Sequence, residues 1–105
     1  MKNALFLSLF ALLSFPAFSA MPEGNADIGK NKAFSCQFCH GTNGVAMKEG
    51  YPHINGQNAL YLYKAMKAYQ DGERLGTYGK MMQQQLSALN DQDLADVAAF
   101  YTQQP

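Results

Sequence analysis

A chain of 105 residues, 48% hydrophobic and 15% charged, is long enough for one small domain and no more. Its eight basic residues balance eight acidic ones, so the clustered positive excess that meets phosphate backbones is missing, and nucleic acid is excluded as a partner. At this size a hydrophobic core alone is marginal, which directs attention to the two cysteines as the seat of a cross-link, metal or cofactor.

Residues 1–19 read as a secretory signal peptide. Lys2 supplies the positive end, Ala4 to Phe15 an apolar run, and Ala17 and Ser19 the small residues of a cleavage site after Ser19. The run is shorter than the roughly 20 residues that span a bilayer, and no cysteine follows it to carry a lipid. Residues 20–105 are then expected as a single exported, soluble domain, with one more acid than base once Lys2 is lost.

The apolar spacing after the leader is helical, and no alternating run of sheet length is present. A first helix is predicted over Asp27 to Ser35, with Ile28, Ala33 and Phe34 on its apolar side. Gly29 lowers its propensity and points to the close approach of another backbone. Residues 41–57, with Gly41, Gly44, Gly50, Pro52 and Gly56, read as irregular loop. A second helix is capped by Asn58, carries Leu62, Met66 and Tyr69 on one face, and stops at Gly72. A short helix is expected over 81–88. The last runs from 91 to 103, with Asn90 as cap, Asp93 at its third position, and Leu94, Val97, Ala98 and Tyr101 along one face.

Cys36-Gln37-Phe38-Cys39-His40 brings two thiols and an imidazole together, and three chemistries compete for it. A redox dithiol would be expected after a strand, with its first thiol activated at a helix start. A structural zinc site needs four ligands, whereas His53 is the one further His or Cys in the chain. Covalent attachment of a c-type haem uses all three residues: each thiol adds to one vinyl group, and the following histidine is carried under the iron. Export fits that chemistry. A Met-rich stretch, Lys80-Met81-Met82-Gln83, lies some forty residues beyond His40, just before the last helix.

The chain after the leader resembles the small bacterial class I c-type cytochromes and is similar to one half of the dihaem periplasmic ones. The resemblance rests on Cys36 to Gly41 with Gly44, on Tyr51-Pro52-His53-Ile54-Asn55-Gly56-Gln57, and on Tyr61-Leu62 and Gly72-Glu73-Arg74. It continues through Met81-Met82, Leu89 to Leu94, and Ala98 to Tyr101. It implies an all-α fold of three to five helices around one haem c attached through Cys36 and Cys39. His40 is implied as proximal ligand and Met82, in preference to Met81, as distal ligand. Pro52 is implied as the residue whose carbonyl accepts the other ring N–H of His40. His53 is read as an ordinary loop histidine, Gln57 and Arg74 as possible propionate partners, and Gly29 as facing Phe100 and Tyr101 where the terminal helices cross. Leu75-Gly76-Thr77-Tyr78-Gly79 departs from the more polar family pattern and leaves the path of that loop open.

The implied function is that of a periplasmic one-electron carrier, not an enzyme. It would be a monomer docking transiently on redox proteins and meeting the membrane only through partner complexes. An open-site haem protein that binds small ligands or peroxide is the alternative.

Overall fold

The computed structural model describes residues 2–14 and 20–105. Among them are five helices and no strands: α1 (Ala26–Lys32), α2 (Gln37–His40), α3 (Ala59–Gln70), α4 (Gly79–Leu86) and α5 (Asp91–Thr102). Residues 2–14 form no helix and stay outside the core, with Leu5, Phe6, Leu9 and Phe10 all exposed. The expected cleavage after Ser19 lies outside the described residues.

Three of the helix starts are set by an asparagine cap. The Asn25 side chain accepts the N–H of Ile28 at 3.1 Å and starts α1, and the Asn58 side chain starts α3 through the N–H of Tyr61 at 3.0 Å. α5 opens on a reciprocal capping box, the Asn90 side chain accepting from the N–H of Asp93 at 2.8 Å while Asp93 accepts from the N–H of Asn90 at 3.0 Å. Asp71 caps the end of α3, and Gly72 follows at φ 72°. The first helix is shorter than its sequence pattern predicts. It stops at Lys32, and a run of turns leads through residues 33–36 into the separate single turn α2. α4 begins at Gly79, two residues before the expected start.

α5 is the beam of the fold. Leu94, Ala95, Asp96, Val97, Ala98, Phe100 and Tyr101 are all buried on it, and it packs against both α1 and α3. Leu62 and Tyr63 of α3, Leu86 of α4 and Ala33 complete the core, with Met66, Met82 and Leu89 packed on its edge. Full burial of a side chain such as Leu94 contributes about 2 kcal/mol, and its position three and seven residues from Val97 and Tyr101 puts all three on one helical face.

α1 reaches α5 through Gly29. A Cβ there would stand 1.9 Å from the Asp96 carbonyl oxygen and 3.0 Å from the Val97 nitrogen, so the glycine faces the backbone at Asp96 and Val97, one turn earlier than the Phe100 and Tyr101 expected. At that crossing Asp96 is 2% exposed. Its carboxylate accepts from Asn25 N–H at 2.8 Å, Lys32 Nζ at 2.8 Å and Gln92 Nε2 at 2.9 Å. Lys32 also pairs with Asp93. Burial pushes the Asp96 carboxyl up, but the Lys32 ammonium and the Asn25 and Gln92 donors outweigh it and hold the group below its ordinary value. Lys32 and the Asn90 N–H hold Asp93 down in the same way.

A carboxylate whose folded value lies below its unfolded one binds fewer protons in the folded state, so its contribution is present above a pH of about 4 and is lost as pH falls through the folded value. The denaturation midpoint should therefore drop on acidification below that range. Asp96→Asn should be less stable than the parent at neutral pH and should show a shallower acid slope in denaturant titrations.

Candidate functional site

The single turn of α2 makes the site possible. Cys36, as its N-cap, already has right-handed helical dihedrals, and its carbonyl accepts both the N–H of Cys39 at 3.3 Å and that of His40 at 2.9 Å. Residues three and four apart in such a turn share a face, so both thiols and the imidazole lie on one arc. Phe34 and Phe38 fall on the opposite arc, exposed and packed edge to face with ring centroids 5.5 Å apart. Gly41, at φ 82°, ends the turn.

His40 is 8% exposed, and its Nδ1 lies 2.9 Å from the carbonyl oxygen of Pro52. A carbonyl can only accept, so Nδ1 carries the proton and donates it. The other ring nitrogen, Nε2, is left with its lone pair free for a metal. The residue set therefore fits the implied group: two free thiols for thioether bonds and one oriented imidazole nitrogen for iron.

Burial is the largest influence on the Cys36 thiol and pushes it up, opposite to the lowered thiol that a redox nucleophile needs. Behind it the Tyr101 hydroxyl is buried without a hydrogen-bond partner. Burial first, and then the Cys36 sulfur, push the phenol well above its usual value, so it stays neutral. Among the described residues, no group of three or more His, Cys, Asp or Glu side chains is placed together to hold a metal ion.

Pro52 reaches His40 because the loop of residues 41–57 folds back on itself. The Gly44 carbonyl accepts from the N–H of Ile54 at 2.7 Å and of Asn55 at 3.2 Å. Gly44 sits at φ 82°, and a Cβ there would come within 2.7 Å of the Asn55 nitrogen, so a larger residue would force the two arms apart. The loop is moored to the end of α5 by Gly56 N–H on Tyr101 O at 2.9 Å and by the Asn55 side chain on Pro105 O at 2.7 Å. His53 is exposed on this loop, and its Nδ1 accepts the N–H of Ala46 at 2.9 Å.

The two candidate methionines ride on α4. Met82 is partly buried and packs on the core, while Met81 is 36% exposed. α4 is braced to α3 by Gln70, whose side chain donates to the carbonyls of Leu86 and Leu89, both at 2.9 Å, and whose own carbonyl accepts from Gln83 at 3.3 Å. The segment before α4, whose path the sequence left open, lays Tyr78 against Tyr51 with ring centroids 5.3 Å apart. Gln57 turns its side-chain oxygen to the N–H of Asn58 at 2.8 Å. The Arg74 guanidinium lies over the Tyr69 ring at 4.8 Å. Sequence reasoning missed the Tyr51–Tyr78 contact and the His53–Ala46 bond, because neither leaves a periodic or spaced signal.

Residues 26–104 match the family model described as Cytochrome c. Over 81 residues the chain is 42% identical to cytochrome c-554(548) of Halomonas halodenitrificans, covering 77% of this chain and 98% of that protein. It is 37% identical over 102 residues to cytochrome c4 of Pseudomonas aeruginosa, covering 97% of this chain and 49% of that protein. Among solved structures, reduced recombinant cytochrome c4 from Pseudomonas stutzeri superposes with a TM-score of 0.71 at 31% identity, over 78% of this chain and 46% of that one. The chain thus spans nearly the whole of the Halomonas relative and about half the length of the cytochrome c4 proteins.

The closeness of the loop arms at Gly44 is measurable. Gly44→Ala should cost about 1–3 kcal/mol, from the strained positive φ and the displaced 54–55 backbone, read as a lowered denaturant midpoint.

Proposed function

This chain belongs to the cytochrome c family, and on that premise we propose that it is a periplasmic one-electron carrier with His40 and Met82 as its axial ligands. The haem c that members of this family bind covalently, here through Cys36 and Cys39, supplies a one-electron iron couple. The rest is done by the chain. The Pro52 carbonyl holds the His40 ring through Nδ1, at 2.9 Å, and leaves Nε2 as the atom that would meet the metal. Met82, already packed on the core, offers a soft thioether that favours the reduced state, whereas Met81 beside it faces more toward water. With His40 and Met82 both holding the iron, no position on it would be open to a substrate, and electron exchange without bond making would be its work.

The observation that carries this reading is the donor geometry of His40: one ring nitrogen engaged, the other free, on the same arc as two free thiols. Export is the natural accompaniment. Residues 1–19 are proposed as a signal peptide cleaved after Ser19, which agrees with the exposure of Leu5, Phe6, Leu9, Phe10 and Leu12 among the described residues. No helix among the described residues is long and apolar enough to cross a membrane, and contact with membranes is proposed to run through partner complexes. A monomer that docks weakly and transiently on redox proteins is proposed, and the balanced charge gives that association little electrostatic steering.

Absorption spectra of the exported protein, oxidised and dithionite-reduced, test the assignment. A sharp low-spin reduced spectrum, with the weak red band of methionine–iron ligation in the oxidised form, is expected. Covalent haem that is high-spin and binds carbon monoxide readily would point to an open-site protein instead.

The two methionines separate by substitution. Met82→Ala should abolish the red band and lower the midpoint potential, while Met81→Ala should keep the band; the reverse pattern would move the ligand to Met81.

A further inference from the structure

His53 has more to do than occupy a loop. The oxygen that His40 uses belongs to the peptide unit joining Pro52 to His53, and because that unit is planar its direction depends on ψ of Pro52 and φ of His53. The pyrrolidine ring locks φ of Pro52. One residue beyond, the N–H groups of Ile54 and Asn55 are gripped by the Gly44 carbonyl at 2.7 and 3.2 Å. Between the two stands His53, whose backbone has only its side chain to hold it. That side chain reaches across to the other arm, where Nδ1 accepts the Ala46 N–H at 2.9 Å. The ring fixes the direction of the His53 Cα–Cβ bond, and with it the torsion that aims the Pro52 carbonyl.

We infer that His53 is a positioning residue, whose imidazole sets the Pro52 carbonyl and through it the hydrogen bond that orients His40. The inference rests on the reading of His40 as an axial ligand. It also makes a chemical demand on position 53: an acceptor atom bonded directly to Cγ. Asparagine meets that demand, since its Oδ1 occupies the place of Nδ1, whereas alanine offers no acceptor and glutamine carries its oxygen one atom too far.

The haem-loaded protein tests this, with exchange of the His40 Nδ1 proton followed by NMR in the reduced state and the midpoint potential measured alongside. In His53→Ala the proton should exchange roughly fivefold faster, as suits the loss of one modest hydrogen bond. The potential should rise, because a weaker Nδ1–H bond leaves the imidazole a poorer donor to iron. His53→Asn should restore both. A merely structural role would lower the thermal midpoint and leave exchange and potential where they were.

Unchanged exchange and potential in His53→Ala, or an Asn variant that behaves like Ala, overturns the inference. If His53→Ala does not accumulate in loaded form, His53→Gln takes its place with the same two outcomes. Wild-type protein whose His40 ring resonances show no effect of bound iron would overturn the ligand assignment itself, and the positioning role with it.

Discussion

A backbone carbonyl has no proton to give, and much of the site follows from that fact. Because the Pro52 oxygen must accept, His40 must hold a proton on Nδ1, so the neutral ring can offer only Nε2 to a metal. The tautomer is decided by the fold before any metal is considered. An imidazole free to choose would spend part of its time with the wrong nitrogen protonated and would turn about its Cβ–Cγ bond. Here both freedoms are removed by one hydrogen bond, and the loop of residues 41–57 takes its shape in delivering the acceptor.

That loop in turn depends on the terminal-helix frame. α1 lies against the backbone of α5 at Gly29, and the Lys32, Asp93 and Asp96 cluster holds the crossing. α2 follows α1 within a few residues, so the crossing sets where Cys36, Cys39 and His40 stand. The far end of α5 receives the loop through Tyr101 and Pro105. One helix therefore positions both the histidine and the carbonyl that orients it. Met82 stands on a different helix, one held by the Gln70 side chain and its carbonyl.

The parts of this arrangement that were legible in the sequence are those with a spacing or a chemical signature. The Cys-x-x-Cys-His run, the Asn58 cap, the Asn90 and Asp93 box and the apolar face from Leu94 to Tyr101 all follow from residue type and interval, and the helices form where these predict. The break between Lys32 and Gln37 was not legible. Ala33 and Phe34 continue the apolar pattern, and periodicity alone cannot distinguish a continuing helix from a run of turns. Gly29 marks a point of close approach, but a glycine shows that two backbones meet and not in what register, and the observed partner lies one turn earlier on α5 than Phe100 and Tyr101. The side-chain bond from His53 was invisible for a different reason. A loop histidine has no periodic neighbours, and its partner is a main-chain N–H that any residue at position 46 other than proline would supply.

Tyr51 and Tyr78 join what the sequence keeps far apart. Tyr51 directly precedes Pro52, and Tyr78 is the N-cap residue of α4, its carbonyl accepting the N–H of Met82 at 2.9 Å. Their rings, 5.3 Å apart, bring the loop that carries Pro52 into contact with the start of the helix that carries Met82. The two loops are thus poor units of exchange. A methionine loop transplanted from a relative would arrive without the aromatic surface that Tyr51 expects, and a transplanted histidine loop would strand Tyr78 in water. In this chain the two loops are a matched set, to be inherited or redesigned together.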